Sequence, residues 1–569
     1  MKHLRPPILL LTLTAIAVAA IFIGCGLHPQ KQAAISSESR SDEDDRGAAA
    51  LPPAADEAGP SPARSMLKRV RRDEFLAAVR PASADWNREA YDHFDENPFR
   101  SVVDHPLSTF SIDVDTASYA NIRRILNSGH LPPKGAVRIE EMVNYFDYEY
   151  GGPEVDDDHP FAAHVSIVGC PWNDAHRLMR VALKGRTMQT DQRPASNLVF
   201  LLDVSGSMTP ANKLPLVRQA MKMLVQNLGE NDRVAIVVYA GASGLVLPST
   251  ECDDKQTIVD SLSRLKAGGS THGASGIRLA YKVARENFIK GGVNRVILCT
   301  DGDFNVGVTD QGELVKLIRK KAKSGVFLTV LGFGRGNYQD SRLEKLADKG
   351  NGNYGYIDTI QEARKILVEQ LSGTLVTIAK DVKIQIEFNP AKVSAYRLIG
   401  YENRILAKED FNDDKKDAGE IGAGHTVTAL YELVPAGQDA PTSAVDPLKY
   451  QNVAAATTDA NEVSDETLTL KLRYKQPDGD TSTLMTMVVR DETASFANAP
   501  QDMKFAAAVA GLGMLLRGSE HGGSFTYDDV IALAASTKGV DRHGYRAEFI
   551  NLAKIAGELA SQTTHASAE

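Results

Sequence analysis

Residues 199–208 read VFLLDVSGSM. An apolar run ends in Asp203, Ser205 and Ser207, three oxygen donors spaced at every second residue. Two later stretches carry matching chemistry. GGSTHGASGI sets Thr271 in a glycine-rich loop, and VILCTDGD ends another apolar run in Asp301. Asp203, Ser205, Ser207, Thr271 and Asp301 offer two carboxylates and three hydroxyls, with no nitrogen or sulfur. Hard oxygen donors of that kind select Mg²⁺, or Mn²⁺ or Ca²⁺, over softer metals. Only two of the five carry charge, so a divalent ion held there is incompletely neutralised and seeks a further anionic ligand. Two other readings stand beside this one. The serines and Thr209 can simply cap the next helix, with Ser207 or Thr209 as N-cap, or the metal can serve stability alone.

Other catalytic patterns are missing from the chain. It contains no His-Glu-x-x-His zinc helix, no Gly-x-Ser-x-Gly elbow and no GxxxxGK[ST] loop. His159 and His164 bracket a strand start and read as surface residues. DFNDDKKDAGE places Asp410, Asn412 and Asp414 like a calcium loop, but it lacks the glycine at the sixth position and the acid at the twelfth. Asp113 and Asp115 fall on opposite faces of an extended segment and make a poor carboxylate pair. A hydrolytic metal needs a general base nearby. Asp303 is the one sequence neighbour of that type, and it reads better as a loop-orienting residue. A non-enzymatic binding module is therefore the leading expectation, with a metal-dependent hydrolase of envelope material as the alternative.

The elements that must position these residues form a clear pattern. Over 196–375, apolar strands (LVFLLDVS, RVAIVVYA, GLVLPST, RVILCTDG, VFLTVLGFG, NYGYID) alternate with amphipathic helices. Continuous apolar strands between helices indicate a parallel sheet covered on both faces. In such a sheet ligands gather beyond the carboxyl ends of the strands, where the strand order reverses. On either side, 159–195 and 376–495 change to period-two strands. DVKIQIEF alternates Val382, Ile384, Ile386 and Phe388, and TLTLKLRY alternates Leu468, Leu470, Leu472 and Tyr474. The fold expected is α/β: a doubly wound domain inserted in a β-sandwich-like domain. A mostly helical extension (66–158) precedes it, with Tyr119, Ile122, Ile125 and Leu126 at helical spacing. A helical region (500–562) follows, with Thr526 placed to cap a helix.

The remaining features concern location. The chain has 569 residues, 43% hydrophobic and 24% charged, with a net charge of −9. That balance suits several globular cores and gives no footprint for nucleic acid. Lys2, His3 and Arg5 precede an apolar stretch from Ile8 to Ile23, which reads as the core of a signal peptide over 1–24. FIGCG then presents Cys25 as in a bacterial lipobox, where the cysteine is lipidated and anchors the chain to a membrane. Gly26, not an aspartate, follows it, which in a Gram-negative host implies onward sorting to the outer membrane. Residues 25–65 are rich in Ala, Ser, Pro and acids and read as a disordered tether. Cys170, Cys252 and Cys299 match no metal spacing, and Cys299 reads as a small buried hydrophobe.

The five-residue set, in this order and on this architecture, resembles the metal-ion-dependent adhesion site (MIDAS) of von Willebrand factor type A (vWA) domains. Asp203, Ser205 and Ser207 match that site's first loop, Thr271 its second and Asp301 its third. Beyond the domain, FSIDVDTASYANIRRIL, EEMVNYFDYEY and EDFNDDKKDAGEIGAGHTVTALYE resemble the bacterial YfbK-like vWA lipoproteins, over roughly 90–560. The resemblance implies a lipid-anchored, extracytoplasmic protein. It also implies a bound divalent metal that coordinates an Asp or Glu of a protein partner in the cell envelope.

Overall fold

The structure is a computed structural model. It describes residues 89, 91, 93–112, 115–154, 156–188, 192–269, 273–302, 311–335, 339–439, 441 and 464–566. The signal peptide, Cys25, Gly26, the tether, Asp113, Thr271 and Asp303 lie outside the described residues. Arg80–Glu569 forms one compact unit.

The chain enters through β1 (Arg100–Ser101) and β2 (Leu107–Ser111), then helices α1 (Ala117–Asn127) and α2 (Ile139–Asn144). A long hairpin follows, β3 (Phe161–Cys170) and β4 (Asn173–Gly185). The inserted domain runs β5 (Ser196–Asp203), α3 (Leu214–Gln226), β6 (Arg233–Tyr239), β7 (Ser243–Glu251), α4 (Lys255–Arg264), α5 (Gly273–Glu286) and β8 (Val293–Thr300). It continues with α6 (Gln311–Ala322), β9 (Phe327–Phe333), α7 (Asp340–Asp348), β10 (Tyr354–Ile357), α8 (Ile360–Arg364) and α9 (Leu371–Leu375). Six strands return to the sandwich: β11 (Thr377–Phe388), β12 (Val393–Ile399), β13 (Gly419–Gly422), β14 (Thr426–Pro435), β15 (Leu468–Lys475) and β16 (Ser482–Val489). Helices α10 (Gln501–Arg517), α11 (Tyr527–Ser536) and α12 (Tyr545–Ala566) close the chain.

The inserted sheet has the order β10-β9-β8-β5-β6-β7, parallel except for the antiparallel edge strand β7. GLVLPST thus joins the sheet against the direction of its neighbours. Alternate side chains serve two cores: Leu198, Phe200 and Leu202 pack toward α3, whereas Val199 and Leu201 pack toward α5. Helix α5 approaches closely because Gly276 has no side chain; a Cβ there would lie 2.9 Å from Tyr239 Cβ and 3.1 Å from Leu201 Cδ1.

The sandwich has sheets ordered β1-β12-β14-β4-β3 and β13-β11-β15-β16, with β2 also pairing β11. Its core takes Val382, Ile384, Ile386 and Phe388 from β11 and Val427, Ala429, Tyr431 and Leu433 from β14. One finding differs from the helical reading of the N-terminal extension, and a second concerns α10. Residues 100–111 contribute strands to both sheets, because Phe110 and Ile112 are needed to fill the sandwich core. Helix α10 is buried on nearly all sides, since it sits among α2, α11 and the outer face of the sandwich, where Leu178, Ile399 and Leu430 point. Thr526 caps α11, its hydroxyl accepting from the Asp529 N–H at 3.2 Å.

A buried charge network ties the layers together. Arg123 of α1 pairs with Asp358, with Glu362 of α8 at 2.8 Å and with Glu548 of α12 at 3.3 Å. Its guanidinium also donates to Tyr145 Oη at 3.0 Å. One cation thereby bridges the N-terminal helices, the inserted domain and the C-terminal helices. His159 and His164 are half-buried, each accepting or donating one bond, His159 Nδ1 to Tyr474 Oη at 2.8 Å and His164 Nε2 to the Gly151 carbonyl at 2.7 Å. His159 sits against Tyr474 of the sandwich core, whereas His164, on the opposite face of β3 from Phe161 and Ala163, stands at the surface as its position implied.

Candidate metal centre

The order of the inserted sheet reverses at β5: the chain moves to β6 on one side and later to β8 on the other. The carboxyl ends of β5 and β8 are thus neighbours at the switch point, the place where an open sheet leaves a crevice. Leu202 pairs with Cys299, so Asp203 stands beside Thr300 and one residue from Asp301. Both aspartates are buried, at 0% and 1% exposure, beneath an otherwise polar crest.

Local hydrogen bonds shape the first loop. Asp203 Oδ1 accepts the Ser205 N–H at 2.9 Å, which turns the chain so that Ser205 and Ser207 stand together, Oγ to Oγ at 3.0 Å. Asp203 pairs across the sheet with Tyr239 at the end of β6, and its Oδ2 accepts from the Thr300 hydroxyl at 3.4 Å. The Gly206 N–H donates to the Gly269 carbonyl at 3.0 Å, and the Gly268 N–H donates to the Val204 carbonyl at 2.7 Å. These two bonds stitch the glycine-rich loop that precedes Thr271 onto the first loop. Helix α3 begins only at Leu214, and neither Ser207 nor Thr209 caps it. Thr209 instead donates its hydroxyl to the Gly206 carbonyl at 2.8 Å. The capping alternative is therefore not what these residues do.

Burial pushes the Asp203 carboxyl up to about 6, with the neighbouring Asp301 charge adding to the rise and the bonds from Ser205 opposing it. A desolvated carboxylate beside a second acid is an electrostatic deficit that a cation relieves. Among the described residues no three His, Cys, Asp or Glu side chains converge as a metal cluster. A metal at this crest would rest on two carboxylates and on hydroxyls, a donor set that fits Mg²⁺ better than Zn²⁺.

The structure adds two residues that the sequence reading missed. Lys213 reaches back from the start of α3, and its Nζ lies 2.7 Å from Asp301 Oδ2, both side chains buried. Its aliphatic stem crosses Gly334, which follows β9 with φ of +85°; a Cβ there would come within 2.4 Å of Lys213 Cε. Gly334 is thus required twice, for its left-handed backbone and for its missing side chain. The signal available in sequence was slight: a lysine five residues past Met208 and a glycine after FLTVLGF.

Cys170, Cys252 and Cys299 are free and buried, and Cys299 packs in the sheet core at 0% exposure, as its apolar run implied. Among the described residues, no helix is long and apolar enough to cross a membrane.

Fold and crest together define a von Willebrand factor type A domain, and the family model described as "von Willebrand factor type A domain" matches residues 197–370. Two further models match, "von Willebrand factor" over 85–180 and "Uncharacterized protein YfbK, C-terminal" over 373–559. YfbK of Escherichia coli (strain K12) is 45% identical over 477 residues, covering 82% of this chain and 80% of that protein. The chain belongs to the YfbK family of vWA proteins. Human inter-alpha-trypsin inhibitor heavy chain H4 is 28% identical over 165 residues, 27% of this chain and 17% of that protein. Among solved structures, a von Willebrand factor type A protein from Catenulispora acidiphila aligns with 14% identity and a TM-score of 0.38, over 68% of this chain and 89% of that one.

Proposed function

We propose that this chain is a lipid-anchored, extracytoplasmic adhesion module that grips an envelope protein through a divalent cation. The observation that carries the reading is the delivery of Asp203 and Asp301, with Ser205 and Ser207, to one buried crest by adjacent parallel strands. Asp203, Ser205, Ser207 and Asp301, with Thr271, would hold Mg²⁺, or Mn²⁺ or Ca²⁺. The bound ion would supply a positive centre with an open coordination position for a partner's Asp or Glu.

The residues of the chain prepare that exchange. Asp203 and Asp301 supply two negative charges, and Lys213 returns one positive charge to Asp301. An ion of charge +2 would leave the crest with a net positive charge, and the low-dielectric floor strengthens its pull on an anion. Asp203 stands beside the Ser205 and Thr300 hydroxyls as one more oxygen donor of the crest, and the reading rests on that shared oxygen-donor set. The anchor at Cys25 would hold the crest near its envelope partner.

The experiment is crosslinking in intact cells expressing the wild type or Asp203→Ala, with and without chelator. Partners captured by the wild type alone, and lost on chelation, support the reading. Capture that neither the substitution nor the chelator changes overturns it. Titration of purified protein with Mn²⁺ by calorimetry separates loss of metal from loss of partner.

A further inference from the structure

Helices α5 and α6 lie side by side on one face of the inserted sheet, with α5 opening at Gly273 just after the glycine-rich loop of the crest. Arg278, Lys282 and Arg285 repeat along the exposed stripe of α5, and Lys316, Arg319 and Lys320 along that of α6, with Lys323 exposed just past its end. The two stripes form one surface: Arg278 of α5 lines a 270 Å³ groove together with Lys316 and Lys320 of α6. Against these seven cations stand two exposed acids among the described residues of the same helices, Glu286 and Glu313, and Glu286 already pairs with Lys282 at 3.7 Å. The chain as a whole carries −9, so this face is a local inversion of its charge.

At the end of both helices sits Phe288, 45% exposed. It lies beside Arg319 and Lys323 at the mouth of a cleft that the sandwich also lines with Asp381, Asp414, Asp417, Asp478 and Asp480, and Lys290 is exposed two residues on. The ring rests beside Gly325, where a Cβ would stand 3.3 Å from its Cζ. An exposed aromatic ring at the edge of a basic helix face is unusual for a face that only needs to stay soluble.

We propose that the α5–α6 face docks on a bilayer of anionic phospholipid. Clusters of this many basic side chains bind negatively charged headgroups within a Debye length of the surface. An exposed aromatic at the same level adds partition into the interfacial zone. Nucleic acid fits less well. A duplex groove admits a protruding element, and single strands need a row of aromatic platforms, whereas this face is broad and carries one ring. An acidic protein would use the charges but has no need of the isolated Phe288. The docking face uses none of the crest's oxygen donors at the ends of β5 and β8, although α5 begins beside that crest.

The test is sedimentation of residues 80–569, the compact unit, with vesicles of phosphatidylcholine alone or with roughly one third phosphatidylglycerol, chelator present throughout. Leaving out Cys25 removes any acyl anchor, and chelation removes any metal bridge to headgroups, so failure of the adhesion reading does not affect the result. The expected outcome is binding at least about tenfold stronger to the anionic vesicles, falling as salt rises. The triple variant Arg278→Glu, Lys316→Glu and Lys320→Glu should return binding to the neutral-vesicle level with an unchanged melting temperature. Phe288→Ala should weaken binding several-fold and leave its salt dependence intact. Equal binding to both vesicles, binding unmoved by the triple variant, or retention on a DNA duplex without vesicle binding would each overturn the proposal.

Discussion

Lys213 Nζ lies 2.7 Å from Asp301 Oδ2, with the lysine side chain 8% exposed and the aspartate fully buried. The pair sets the charge of the crest before any ligand arrives. With Lys213 in place the two candidate carboxylates present one net negative charge; without it they present two. Lys213→Met keeps the stem over Gly334 and removes the ammonium. The expected result is tighter Mn²⁺ binding, by roughly tenfold from Coulomb attraction at a partly screened site, together with weaker capture of an acidic partner. Calorimetry and pull-down on the same preparation check the two halves. Tighter capture of both would show that Lys213 does not tune the anion.

Gly334→Ala should strike the same pair from the other side. A residue with φ of +85° and a Cβ 2.4 Å from Lys213 Cε carries backbone strain and displaces the lysine stem. A stability loss of about 1–2 kcal/mol is expected from the backbone alone. Denaturant melts measure it, and Mn²⁺ affinity should move in the direction seen for Lys213→Met.

Arg123→Met tests the network between layers. The substitution leaves Glu362 buried at 1% exposure with its cation gone. Removing one partner of a buried ion pair costs about 3–5 kcal/mol. Urea unfolding of residues 80–569 should show that loss. A change below about 1 kcal/mol would mean that the network is screened and contributes little.

Stability should also fall in mild acid through His425. Burial, helped by the Lys184 and Arg295 charges and opposed by Asp147, pulls this imidazole down to about 4. The unfolded chain takes up its proton near 6.5, and the folded chain resists until about 4. Stability from this residue is complete above pH 6.5 and is lost as pH falls from there toward 4. His425→Gln should flatten the stability profile in that window by about 1–3 kcal/mol, read from urea midpoints between pH 7 and 4. A profile of unchanged slope would assign the acid sensitivity to other groups.

Cys25→Ser should release the protein from membranes when they are washed at high salt, a condition that also strips contacts made by charge alone. Fractionation and blotting measure it. Retention of the variant under that wash would mean that the leader stays as an anchor or that another segment inserts.

Much of this protein was legible in one dimension. Runs such as VFLLDVS and RVILCTDG are buried on both faces of a parallel sheet, and that burial alone dictates their continuous apolar composition. The alternation in DVKIQIEF follows from a half-buried pleat, and Val382, Ile384, Ile386 and Phe388 all enter the sandwich core. Asp203, Ser205, Ser207 and Asp301 were readable as oxygen donors at strand ends, a local property of their two stretches, and the sheet brings the ends of those stretches side by side.

Other features depend on contacts between residues far apart in the chain, which leave no period and no local preference behind. Phe110 and Ile112 complete a core whose other members are scattered from Val102 to Val489, and Phe110 pairs with Ile384, so a short strand in β2 carries no signal of its own. Lys213 meets Asp301 across 88 positions. Nothing in NKLPL announces a buried ammonium; only the turn after Met208 and the bare backbone of Gly334 bring it there. The basic face of α5 and α6 has the same origin, since two ordinary amphipathic helices become one cationic surface when a sheet lays them side by side. Burial and donor type were written locally in the sequence, whereas charge balance at the crest and across the surface was decided by packing.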